Sequence, residues 1–130
     1  MDLRSLAFDY HQPDLSALDI QDGKVLAFTC HSIEQIPALS EKLFREMIEH
    51  IPRFECFHFE PVGWQIRATT GEPGVGSMSE YAEHHDYNQN FWHVLTELQE
   101  AGLVRIEAAF PDICGPNPEN SISIVKWHPA

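Results

Sequence analysis

Lysine and arginine are scarce in this chain: eight of them stand against twenty aspartates and glutamates in 130 residues, for a formal charge of −12 at pH 7. The deficit is uneven. Between Arg67 and Lys126 the only Lys or Arg is Arg105, while Glu72, Glu80, Glu83, Asp86, Glu97, Glu100, Glu107, Asp112 and Glu119 all fall in that interval. Such a surface repels phosphate backbones and draws cationic partners, through a field reaching about one Debye length, roughly 8 Å at physiological salt. Nucleic-acid binding is therefore not expected, and a basic protein partner is.

Other absences narrow the field further. No run approaches the roughly 20 apolar residues that a membrane span requires, and the start "MDLRSLAFDYHQPDLS" lacks the basic opening and long apolar stretch of a secretory signal. The expected compartment is the cytosol, with no membrane partner. Cys30, Cys56 and Cys114 are widely spaced and include no CxxC pair, so they form neither a complete disulfide framework nor a thiolate zinc site. The glycine-rich "GEPGVGS" lacks the Lys and Ser/Thr that end a phosphate-cradling loop and reads as a connector. HExxH, HxxEH and GxSxG are missing too, so no cofactor is called for and the balance leans away from an enzyme.

What is present fits one acidic domain over residues 1–130, long enough to bury a core without staples. "LRSLAFDY" reads as a short strand, and "KVLAFTC" from Lys24 to Cys30 as a buried one. In "IPALSEKLFREMIEHIP", Pro37 suits a first helical turn, Leu39, Leu43, Phe44, Met47, Ile48 and Ile51 recur every three or four residues, and Pro52 ends the helix. "RFECFHFE" and "GWQIRATT" flank Pro61 to Gly63 and read as a hairpin, the second run alternating Trp64, Ile66 and Ala68 with polar residues. Ser77 and Glu80 form a capping-box pair opening a helix; the pattern breaks between Asp86 and Asn90, and a second helix carries Phe91, Val94, Leu95 and Leu98 to a stop at Gly102. "VRIEAAF" and "SISIVKW" are strands joined across "PDICGPNPEN". The expected class is α+β: a mainly antiparallel sheet with helices on one face, split βαβ-like with an extra C-terminal strand.

The stretch "SEYAEHHDYNQNFWH", Ser79 to His93, concentrates the chemistry. His85 shares a helical face with Met78, Tyr81 and Ala82 and is expected to point inward as a core histidine. His85, Asp86 and His93 are the candidate catalytic residues. With His58 they are also the candidate metal ligands, because imidazole and carboxylate suit zinc, iron or manganese. Trp92 lies off the apolar stripe and is expected at the surface beside acidic residues, as an aromatic anchor would be. Glu80, Glu83, Asp86, Trp92, Glu97 and Glu100 make up the expected contact surface. The leading functional expectation is a binding module that occludes or regulates a basic partner, like an inhibitor or immunity protein by analogy of charge and size. A histidine and carboxylate enzyme or small-ligand protein, with or without a metal, is the alternative. A winged-helix-like regulator is third, opposed by a recognition helix, "NQNFWHVLTELQE", that lacks Lys and Arg.

Overall fold

A computed structural model describes residues 3–21, 23–72 and 75–130. Its elements are β1 (Val25–Cys30), α1 (Lys42–His50), β2 (Phe54–Glu60), α2 (Gly63–Thr70), α3 (Val75–His84), α4 (Phe91–Glu100), β3 (Val104–Cys114) and β4 (Ile122–Pro129), with 3₁₀ turns at Ile33–Gln35 and Pro118–Asn120. The strands form one four-stranded sheet in the order β1-β2-β4-β3. β1 and β2 run parallel around α1, and the other two ladders are antiparallel. This is the expected α+β class, its mixed sheet built from one βαβ unit and one hairpin.

One side of the sheet is the core. Phe54, Cys56 and His58 of β2 and Val125 and Trp127 of β4 face Leu43, Phe44 and Met47 of α1 and Phe91, Val94, Leu95 and Leu98 of α4. Phe44 packs edge-on against Trp127, with ring centroids 5.4 Å apart, and Trp127 packs the same way against Phe54 at 5.2 Å. The apolar stripes read in α1 and α4 face the core, but β1 is not the buried strand expected: only Val25, Ala27 and Thr29 turn inward, while Leu26, Phe28 and Cys30 are exposed on the side of the sheet away from α1 and α4. Pro52 follows a helix that stops at His50, and Gly102, at φ 76°, lets Leu103 fold back to donate its N–H to the Leu98 carbonyl at 3.0 Å.

Several expectations are corrected. Gly63–Thr70 is a helix, not the second arm of a hairpin, because both edges of β2 are already occupied by β1 and β4. The alternation in "GWQIRATT" also satisfies a helix, since Trp64 and Ala68 are one turn apart; the left-handed Gly71 ends it, its N–H turned back to Ala68 and Arg67. Helix α1 begins at Lys42 rather than at Pro37, because the backbone before it is bonded elsewhere: the Pro37 carbonyl accepts from the Gln89 N–H, and the Leu39 N–H donates to Asn90 Oδ1 at 2.8 Å. Residues 3 to 8 form no strand. Ser77 lies inside the first turn of α3 rather than at its cap, and residues 73 and 74, ahead of that turn, lie outside the described residues. Strand β3 runs four residues further than expected, through two register shifts and a positive φ at Asp112.

Candidate functional site

The Ser79–His93 stretch divides into two halves with different tasks. Helix α3 ends at His84, and Asp86, at φ 54°, turns the chain away. His85 therefore lies past the helix and is exposed, which corrects the expected inward histidine. Its ring stacks on Tyr81 at 4.1 Å and on Tyr87 at 5.3 Å, and its Nδ1 lies 2.8 Å from the Tyr81 carbonyl oxygen.

The second half, Asn88 to Asn90, is a bolt. Asn88 is buried; its Oδ1 accepts from the Asn90 and Phe91 N–H groups and so caps α4, while its Nδ2 donates to the Ile36 carbonyl at 2.7 Å. Buried Gln65 of α2 donates to the Asn88 carbonyl and accepts from the Trp92 N–H at 3.0 Å. Asn90 exchanges two hydrogen bonds with the backbone of Leu39. Polar side chains thus tie α2, α4 and the 36–39 connector together.

His58, not His85, is the core histidine. Its Nε2 accepts from the Trp127 indole N–H at 2.8 Å, which leaves Nδ1 to carry the proton and donate to Thr29 Oγ1 at 2.8 Å. Complete burial pushes this imidazole down to about 3, and burial pushes the neighbouring Cys56 thiol up to about 12. Both ring nitrogens are engaged, so His58 has no free lone pair for a ligand. His93 is exposed on α4, 3.4 Å from Glu97, and His58, His85, Asp86 and His93 do not gather. Among the described residues, the three donor side chains that do approach one another are Glu46, Glu49 and His50 of α1, where Glu46 already accepts from the Leu15 N–H and pairs with His50.

The expected contact residues separate by burial. Glu80, Glu83, Asp86, Glu97 and Glu100 are all exposed, and among the described residues none of them pairs with a Lys or Arg. Trp92 is half-buried rather than at the surface: it packs against the edge of the core and lines a cleft between α2 and α4 with Trp64 and Thr96. Helices α3 and α4 both pack on α2, so the acidic residues belong to one helical layer.

Two carboxylates that fasten the fold escaped sequence reading. Glu60, at the end of β2 and fully buried, accepts the backbone N–H groups of Ser32, Ile33 and Glu34 and so holds the 3₁₀ turn after β1. Asp112 takes Arg67 Nε at 2.6 Å against the start of α2. Gly63 is required there, since a Cβ would lie 2.3 Å from Asp112 Oδ1 and 2.8 Å from Ser123 Oγ. Glu60 looks from sequence like one more strand glutamate; only the fold brings the turn to it.

Among the described residues, the other side of the sheet has no helix. Register places Phe28, Phe57, Lys126 and Ala108 in one row across the four strands and Cys30, Phe59, Ile124 and Phe110 in the next. Leu26 is 65 % exposed, Phe28 66 % and Phe110 53 %, where large apolar residues would normally be covered. Phe57 and Phe59 stack at 6.4 Å. Towards the start of β1 the face carries an ion-pair chain: Lys24 to Glu55 at 3.2 Å, Glu55 to Lys126 at 3.3 Å, Lys126 to Glu107, and Glu107 to His128 at 3.3 Å. Hydrogen bonds from Lys24 and Lys126 hold the Glu55 carboxyl below the usual carboxylate range.

No protein family model, curated protein or solved structure matches the chain. Among the described residues no helix is long and apolar enough to cross a membrane.

Proposed function

We propose that this chain is a small acidic protein-binding module that engages, and so occludes or regulates, a cationic protein, in the manner of an inhibitor or immunity protein working in the cytosol. The observation that carries this reading is the acid of the helical layer, which among the described residues meets no Lys or Arg. Glu80, Glu83, Asp86, Glu97 and Glu100 project from α3, its end and α4 without Lys or Arg partners, whereas Lys24, Arg45, Arg67 and Lys126 are engaged with other carboxylates. Uncompensated charge of one sign raises the rate at which an oppositely charged partner is encountered, and partly buried Trp92 beside it supplies apolar contact area. The Asn88 network fixes the relative placement of α2 and α4, so the surface is presented on a rigid support.

The test begins with recovery of the partner from the source organism on immobilised protein, followed by association kinetics at two ionic strengths. Reversing Glu97 and Glu100 to Lys is expected to slow association and flatten its salt dependence, since steering acts on the on-rate. Trp92→Ala is expected to speed dissociation instead. Unchanged association of the charge-reversed protein at low salt would refute the reading.

A further inference from the structure

With the acidic layer as the partner-binding surface, on which this inference rests, we propose that the cleft between α2 and α4 is an arginine site. A single arginine side chain of the cationic partner lies in it, against Trp64 and Trp92. The cleft measures about 190 Å³. Pockets that take whole small molecules run from about 300 to 1,000 Å³, so this space suits one side chain. Trp127 has Phe44, Phe54 and His58 against its ring in the core, whereas among the described residues neither Trp64 nor Trp92 stacks on another ring or carries a cation. An indole face is the best of the aromatic partners for a cation.

The polar atoms left open in the cleft select a group that only donates. Thr96 Oγ1 donates to the Trp92 and His93 carbonyls and Thr69 Oγ1 to the Ile66 carbonyl, so each hydroxyl proton is committed to its own helix and each oxygen can only accept. Gln89 Nε2 donates to the Tyr87 carbonyl at 2.9 Å, and its Oε1 has no partner among the described residues. Trp64 Nε1 also has no partner, but it is buried from solvent and offers a ligand nothing. A guanidinium carries five N–H donors in one plane and no acceptor, and that plane lies flat on an indole. Charge agrees with this choice. Glu97 lies 3.4 Å from Nε2 of His93, which lines the cleft, and among the described residues neither Glu97 nor Glu100 meets a Lys or Arg. Arg67 of α2 is held by Asp112 and Glu72 and does not line the cleft.

Two of the three tryptophans line the cleft, so indole emission reports its occupancy. Native protein titrated at low salt with hexa-arginine is expected to show a saturable emission change, and hexa-lysine, of equal charge, to bind more weakly. Ala68→Leu fills the cleft from an exposed position on α2 without altering charge, and near-ultraviolet circular dichroism confirms its fold. It should weaken hexa-arginine binding about tenfold and remove the preference over hexa-lysine. No saturable change in the native protein, hexa-lysine binding as tight as hexa-arginine, or an unaltered hexa-arginine affinity in Ala68→Leu would overturn the arginine site. If that happens while Glu97→Lys with Glu100→Lys abolishes binding, the acidic layer stands without the cleft. Hexa-arginine binding that survives the charge reversal unchanged at low salt would overturn the acidic layer, and the arginine site with it.

Discussion

On β2, Cys56 and His58 point into the core and are fully buried, whereas Phe57 and Phe59, one residue along, point onto a face that no helix covers. The same alternation runs through β4, where Val125 and Trp127 are inside and Ile124 and Lys126 outside. Ordinary one-sided sheets place polar residues on the outer face. Here the buried face holds a histidine and a glutamate, satisfied by hydrogen bonds, while the outer face holds phenylalanines that no helix covers among the described residues. A strand that is apolar on both faces is normally covered on both, and on this outer face Phe28 and Leu26 are about two-thirds exposed.

The contrast is sharpened most by truncating each side. Leu95→Ala, at a fully buried position, is expected to cost about 3 to 5 kcal/mol through lost transfer energy and a residual cavity. Phe28→Ala should change the stability of the monomer by less than about 0.5 kcal/mol, as a surface substitution does. Denaturant melts at low protein concentration compare the two, and a large loss at Phe28 would mean that the outer face is packed after all.

Acid probes the buried side alone. Above pH 6.5 His58 is neutral in folded and unfolded chains; as pH falls towards about 3 only the unfolded chain takes up the proton, so stability declines through that window. The contribution of His58 to this decline is on the order of 4 kcal/mol. His58→Phe lowers stability at neutral pH but should flatten the slope between pH 6.5 and 3. An unchanged slope would place the responsible group elsewhere.

A smaller effect tests the seam between the hairpin and α2. Gly63→Ala should cost about 1 to 3 kcal/mol, because the new Cβ displaces Asp112 and Ser123. Smallest of all, Glu97→Lys with Glu100→Lys should leave stability within about 0.5 kcal/mol, since both side chains are exposed. Their effect belongs to association, and a large loss of stability would show that the acidic layer is structural.

The sequence by itself determined the α+β class, the positions of β1, β2, α4 and β4, the core stripes of α1 and α4, and the acidic bias. Each of these rests on local periodicity or on a count, and neither depends on what packs where. Only the tertiary structure decided that Gly63–Thr70 is helical, because a short alternating run satisfies either period and the vacancy beside β2 was already filled by β4. It also decided that His85 is outside and His58 inside, since one residue past a helix end resets the phase, and that Asn88, Gln65 and Glu60 fasten the loops, since their partners are distant in the chain. That one face of the sheet stands bare is likewise a tertiary fact. Alternation shows that a strand has two faces, and only the path of the connecting helices, all on one side, shows which of them the chain leaves uncovered.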